Sequence, residues 1–315
     1  MTGFPYWFFL HKLDVLVTPM RKFAPILLFW MVLASVAEAQ SFYSIRRERS
    51  LIAVGGIGTS TYFGELANDG TNIDAKPSLS VGLQYFLTRQ LSVRSELTYF
   101  RLKGADAEAD DNSRVNRNLS FTSGNVELNV VGMLNFFPQG RRFYQRPSFN
   151  VYGFGGLGFL YFNPKTDFQG SKVALQPLKT ELVDYSRLGI VIPFGIGVRL
   201  KAGPFYNLTF EGGYRKAFTD YLDDVSTVHP GAAAFTDPVA AALSDRRPEL
   251  GLAAKPAGTQ RGNPDDNDGY FILSAKLEYY LPDGFLFSPN SQQKLLRNKR
   301  KAFYRYNKRG GLKRR

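Results

Sequence analysis

The residues able to do chemistry are few. Downstream of residue 40 the only histidine is His229, in Thr227-Val228-His229-Pro230, with Ser226 and Ser244 as candidate nucleophiles nearby. A Ser-His-acid hydrolase needs a fixed relay of nucleophile, base and orienting acid, and nothing else in the sequence marks one, so a lone His beside a Pro reads as a loop residue. Zinc would need further His or Cys ligands, and the chain has no cysteine. Asp110-Asp111, Asp220/Asp223/Asp224 and Asp265-Asp266/Asp268 offer oxygen ligands for calcium without the spacing of an EF-hand, and read as turn formers. Gly153-Phe154-Gly155-Gly156-Leu157-Gly158 matches the dinucleotide fingerprint, but that motif requires its last Gly to open a helix, and Phe159-Leu160-Tyr161-Phe162 continues an extended pattern instead. No cofactor, metal or small-molecule substrate is evident.

The elements that carry these residues are strands. From Leu91 to Tyr99, Leu91, Val93, Leu97 and Tyr99 alternate with Ser92, Arg94, Glu96 and Thr98, the period of a strand whose faces meet different surroundings. The pattern recurs about eight times: Leu51 to Tyr62, Leu79 to Leu87, Leu91 to Lys103, a strand through Val126, Leu128 and Val130 ending at Phe136-Phe137-Pro138, Phe149 to Phe162, Leu188 to Lys201, Tyr206 to Phe218, and Tyr270 to Leu281. The connections run long, short, long, moderate, long, short, long, so every long loop falls at one end of the sheet. A β-sandwich has no reason to segregate loops in this way. An outer-membrane barrel does, with short periplasmic turns and long external loops, and strands of about ten residues cross the hydrocarbon when tilted.

The expected fold is therefore all-β: an eight-stranded antiparallel up-and-down transmembrane barrel, closed because lipid leaves no partner for an open edge. Aromatics near strand ends, Tyr62, Tyr99, Phe136, Phe137, Tyr161, Phe162, Tyr214, Phe218, Tyr279 and Tyr280, are expected to form interfacial girdles. Arg94, Glu96, Glu127, Arg199, Glu211, Arg215, Lys276 and Glu278 then lie in the lumen. An eight-stranded barrel is just wide enough for side chains to fill, so they are expected to form an ion-pair network rather than an ion or proton path. In the strands holding Gly153–Gly158 and Val191–Gly197 both faces are apolar or glycine, and the facing stays open. Asp237-Pro238 reads as a helix cap and first position, placing a short helix over residues 239–246 at the barrel mouth.

Charge and leader complete the domain plan. Met20-Arg21-Lys22, the apolar run Phe23 to Ala34 and Ala37-Glu38-Ala39 form a cleavable export signal. Residues 1–39 are thus an upstream extension plus signal (20–39), residues 40–287 the barrel, and residues 288–315 a tail. The net charge of +13 is concentrated there, with Lys and Arg from Lys294 to Arg315 and no acid after Asp283. Both mature termini are expected in the periplasm. An exported basic tail does not normally meet nucleic acid; Lys299, Arg300, Lys301, Phe303, Tyr304, Arg305 and Tyr306 read instead as a partner-binding arm, with outer-membrane lipid as a competing surface.

Several stretches carry a family resemblance: Gly58 to Glu65 (GTSTYFGE), Arg117 to Phe121 (RNLSF), Asn135 to Pro138 (NFFP), Ile192 to Gly197 (IPFGIG), Tyr214-Arg215-Lys216 with Phe218 to Ser226 (FTDYLDDVS), and Arg261 to Pro264 (RGNP). In these the chain resembles the Bacteroidota outer-membrane barrel family that includes PorG of the type IX secretion system, many members of which are labelled only as domains of unknown function. The resemblance implies a non-enzymatic outer-membrane component that partners periplasmic secretion-ring proteins, and supplies no catalytic residues. A stand-alone structural or adhesive barrel, or an outer-membrane lipid-modifying enzyme or protease with a loop site, are the other classes the composition allows.

Overall fold

The computed structural model describes residues 49–67, 75–140 and 145–282; the export signal and the basic tail lie outside them. Eight strands, β1 (Leu51–Phe63), β2 (Lys76–Phe86), β3 (Leu91–Ala105), β4 (Ser120–Asn135), β5 (Phe149–Tyr161), β8 (Leu188–Lys201), β9 (Tyr206–Ala217) and β10 (Gly269–Tyr280), pair antiparallel in sequence order. The ring closes where Ile52 of β1 faces Tyr280 of β10 and Phe63 faces Gly269. Closure leaves no edge strand, the condition for crossing a bilayer.

The facing of the residues is inverted relative to a soluble domain. On β3, Arg94 and Glu96 are each 2% exposed, whereas Leu97 is 46% and Tyr99 44% exposed. The same reversal holds on β2, β4 and β10, where Leu79, Val81, Leu128, Val130, Leu273 and Leu277 face outward and Gln84, Glu127, Asn129, Lys276 and Glu278 are buried. An apolar surface this continuous belongs in hydrocarbon. This is the fold of an outer-membrane β-barrel.

All four long connections, 64–75, 106–119, 162–187 and 218–268, lie at one end, and the tight turns 87–90 and 202–205 lie at the other. The loop after β5 is not irregular throughout. It forms a hairpin, β6 (Pro164–Phe168) with β7 (Ser171–Ala174), whose first strand adds to β4 at Thr122 and Ser123. β4 can accept it because its pairing with β5 ends at Val126. A helix spans Asn112–Arg117 with Asp111 as N-cap, accepting from Ser113 N at 2.9 Å. The expected mouth helix runs Pro238–Ser244, and Asp237 accepts from Val239 N at 2.9 Å. That cap satisfies a backbone donor the first turn cannot.

The glycine-rich strands, whose facing the sequence left open, turn Tyr152, Phe154, Val191 and Arg199 inward. Glycines on β8 and β9 make room for the rings. A Cβ on Gly197 would lie 2.5 Å from the Tyr152 ring, and one on Gly213 would lie 2.7 Å from Phe154. The expected girdle needs correction. Tyr99, Phe136, Phe137, Tyr161 and Phe218 are exposed, but Tyr62, Phe162 and Tyr280 are buried inside. Alternation turns one member of each adjacent pair, Tyr161/Phe162 and Tyr279/Tyr280, away from lipid.

Gly197→Val should lower the stability of the refolded barrel by about 1–3 kcal/mol, the usual cost of overpacking a filled interior, read as a shift in the urea unfolding midpoint. Gly153→Ala, where a Cβ meets nothing closer than the Gly195 carbonyl at 3.9 Å, should shift it little.

Candidate functional site

Two polar layers occupy the inside, one in the lumen and one in the cap formed by the long loops. In the lumen, Arg94 and Glu96 project from β3, and Glu211 and Lys276 from β9 and β10 on the far wall. Arg94 binds Glu211 through both guanidinium nitrogens, one pair at 2.8 Å. Lys276 Nζ lies 2.6 Å from Glu96 and 2.7 Å from Glu211, and Arg94 Nε lies 3.3 Å from Glu96. Tyr152 donates to Glu211 at 2.5 Å. Two positive and two negative groups thus form a ring that ties β3 to β9 and β10 across the barrel.

Above and below it lie two further pairs. Toward the short-turn end, Arg199 grips Glu278 bidentately at 2.8 Å and 2.8 Å, while donating to Asn135 at 2.6 Å; Asn207 also donates to Glu278. Toward the long loops, Glu127 accepts from Tyr270 at 2.6 Å and from Asn129 at 2.5 Å, with Arg215 at 3.7 Å. The eight charged residues named from the sequence are therefore all buried and all in contact with an opposite charge. Sequence reasoning missed Tyr152, Tyr270, Asn129, Asn135 and Asn207, which add hydrogen bonds to these charges. It also missed Arg146, whose guanidinium reaches in from the turn before β5 to Asn207 Oδ1 at 2.8 Å and to the carbonyls of Gly203 and Pro204.

Over the long-loop end a hydrophobic core replaces the charges. Phe100, Phe121, Leu160 and Ile272 of the strands pack with Leu66, Phe162, Leu222, Val225 and Leu243 of the loops. Ion pairs within the cap hold the loops to one another. Arg117 binds Asp106 at 2.7 Å and 2.8 Å and reaches the Arg261 carbonyl. Arg261 binds Glu181 at 2.7 Å, and Glu181 accepts from the backbone of Ser226 and Thr227. Burial opposes the Glu181 charge, but Arg261 and these donors outweigh it and hold its carboxyl below the usual range.

The loop acids divide unexpectedly. Asp224 sits with Arg261, Thr180 and Tyr185. Asp223 instead joins Asp268 and Glu65, one oxygen of each lying within 4.8 Å of the others, and Tyr62 donates toward both aspartates. A single cation could take three carboxylate oxygens there. Burial and mutual repulsion push Asp223 and Asp268 well above the carboxylate range, so protons can serve the same balance. Asp111 only caps its helix. His229 is buried, and burial followed by the nearby Arg261 pushes its imidazole down. Among the described residues no hydrogen bond joins it to Ser226 or Ser244.

The sequence of residues 25–234, most of the barrel, matches the family described as a domain of unknown function, DUF6089. The chain belongs to the DUF6089 family. No characterised protein matches the DUF6089 chain by sequence search. Among solved structures it is similar to Neisserial surface protein A, at 11% identity over 73% of this chain and 97% of that one, with a TM-score of 0.39. It is also similar to the N-terminal β-barrel domain of Pseudomonas aeruginosa OprF, at 9% identity, 74% and 100% coverage and a TM-score of 0.33. A third is Ail, the attachment invasion locus protein of Yersinia pestis, at 11% identity, 74% and 100% coverage and a TM-score of 0.35.

Arg199→Met in the DUF6089 barrel leaves Glu278 charged and buried, and should cost about 3–5 kcal/mol in urea unfolding; replacing the pair together, Arg199→Met with Glu278→Leu, should cost less. The cap should respond to pH. Burial, partly offset by Ser226 and added to by the Glu65, Glu181 and Asp266 charges, pushes Asp220 up to about 7, and burial, partly offset by Arg261, pushes Asp224 up to about 6. In the unfolded chain both return to about 3.9. Their stabilising contribution is thus complete below about pH 4 and lost as pH rises through 6 to 7. In calorimetry Asp220→Asn should raise the melting temperature at pH 8 and leave it unchanged at pH 4.

Proposed function

We propose that this barrel is a non-enzymatic outer-membrane component of a type IX protein secretion machine, PorG-like in role, linking periplasmic ring proteins to the outer membrane. The observation that carries the reading is the filled interior. Paired charges occupy the lumen, Arg146 covers its short-turn end and a packed core covers the other, so the barrel suits anchoring better than conduction. The stretches quoted above as resembling the PorG-containing family supply the rest. β1 begins and β10 ends at the short-turn end, so a leader cleaved near Gln40 and a tail from residue 288 would both emerge there, on the periplasmic side. Phe303, Tyr304 and Tyr306 among the tail's charges offer apolar anchors beside the electrostatic attraction to an acidic ring protein. Against a hydrolase stands the separation of His229 from hydrogen-bonding contact with either serine, since a nucleophile needs a base within reach.

Deleting the gene should block secretion of type IX cargo while leaving other outer-membrane proteins in place; normal secretion would remove this role and favour a stand-alone structural or adhesive barrel. The protein should fractionate with outer membranes and migrate heat-modifiably on gels, and recovery as a soluble periplasmic protein would contradict the placement. Truncation after Asn290 should leave an inserted barrel that recovers less ring protein on co-purification, with a salt-sensitive loss. Equal recovery with and without the tail would refute the docking role.

A further inference from the structure

Inside the cap, the long loop after β9 folds around a cavity of about 240 Å³. Phe168, Ala232, Ala241, Ala242 and Pro248 give it apolar walls, and His229 and Lys255 also line it. The same two residues also line a more open, polar cavity of about 340 Å³ bordered by Arg114, Arg117 and Arg261. An apolar chamber and a polar one sharing a wall make a site for a molecule that is apolar at one end and charged at the other. Ligand sites in general combine apolar walls with a few convergent polar groups.

The polar groups at the shared wall are left without partners by the protein. His229 is buried, its backbone is pinned by Thr259 O and Gly258 N at 2.8 Å and 2.8 Å, and its Nδ1 meets no hydrogen-bond partner. Buried polar atoms are nearly always paired, by protein or by something bound. The Lys255 ammonium makes no ion pair among the described residues. The acids lining the apolar chamber are occupied. Asp245 accepts from the backbone N–H groups of Arg247 and Lys255 at 3.1 Å and 2.6 Å, and Arg246 binds both oxygens of Glu249 at 2.9 Å and 2.9 Å. Glu65, on the polar side, accepts from Asn263 N through Oε1, while its buried Oε2 has no hydrogen-bond partner. Arg114 and Arg117 are engaged by Asp106 and Arg261 by Glu181, so one ammonium and one imidazole are left to face the cavities, which matches a group with a single negative charge and two acceptor oxygens.

We propose that the cap binds a small amphiphilic monocarboxylate, a short acyl or arylalkyl acid whose apolar body fills the chamber and whose carboxylate lies between Lys255 and His229. The chamber falls below the roughly 300–1,000 Å³ of drug-sized sites, so the body is a few carbons rather than a lipid chain. The site is independent of the secretion reading, and occupancy would make the outward face of the barrel responsive to a small acid.

The test is equilibrium dialysis of labelled hexanoate against the purified full-length barrel in lipid nanodiscs, with empty nanodiscs as the partition control and heat-modifiable migration as the folding control. Wild type should bind one equivalent saturably, Lys255→Gln should weaken binding at least tenfold, and Ala241→Trp, which fills the chamber, should abolish it. Hexanol should compete poorly. Uptake no greater than in empty nanodiscs would overturn the site. Equal affinity in wild type and Lys255→Gln, or hexanol competing as well as hexanoate, would overturn the carboxylate assignment, and undiminished binding by folded Ala241→Trp would place the ligand elsewhere.

Discussion

Buried charge holds this barrel together from within. Arg94, Glu96, Glu211 and Lys276 are each nearly inaccessible, and a lone charge in such a place costs several kcal/mol unless an opposite charge and further hydrogen bonds meet it. The partners sit on strands far apart in sequence, so the pairing is satisfied only when the sheet closes. Closure in turn forces the alternate side chains outward, and that outward set is apolar. Polar lumen, closed sheet and apolar outer face are consequences of one another.

The two ends are finished differently. At the short-turn end Arg146 spans Asn207 and two turn carbonyls and stacks 4.8 Å from the centre of the Tyr280 ring, and Arg49 donates to the Tyr280 carbonyl at 2.8 Å. At the other end the strands rise into a hydrophobic core shared with the loops, and Arg117 and Arg261 lace those loops together through Asp106 and Glu181. A cap built in this way is a folded layer with its own buried acids, not a set of loose connections. The lumen contributes rigidity.

Much of this was legible in the residues because lumen and lipid differ so sharply. The alternation from Leu91 to Tyr99 marks β3 unambiguously, the loop lengths mark the two ends, and Asp237-Pro238 marks the start of a helix to the residue. Glycine defeated the same logic in β5 and β8, since a residue without a side chain has no face to declare until Tyr152 and Phe154 are seen to occupy its space. Tyr62, Phe162 and Tyr280 were misplaced because an aromatic near a strand end suits the interface and the interior equally. The grouping of Glu65, Asp223 and Asp268 depends on three distant segments, and neighbouring Asp224 turns to a different partner set, so no local pattern could reveal it. The hairpin β6–β7 is too short to show a period of its own.

The inverted facing can be measured directly. The chain's two tryptophans, Trp7 and Trp30, both precede residue 40, so a protein expressed from residue 40 leaves a barrel into which single tryptophans can be placed. Leu97 on β3 and Leu250 in the cap are similarly exposed, at 46% and 48%, yet one faces the lipid band and the other does not. In bilayers of lipids brominated near the chain centre, fluorescence of Leu97→Trp should be strongly quenched and that of Leu250→Trp unaffected. Equal quenching at both positions, or none at residue 97, would contradict a barrel that keeps its charges inside and its apolar face in the membrane.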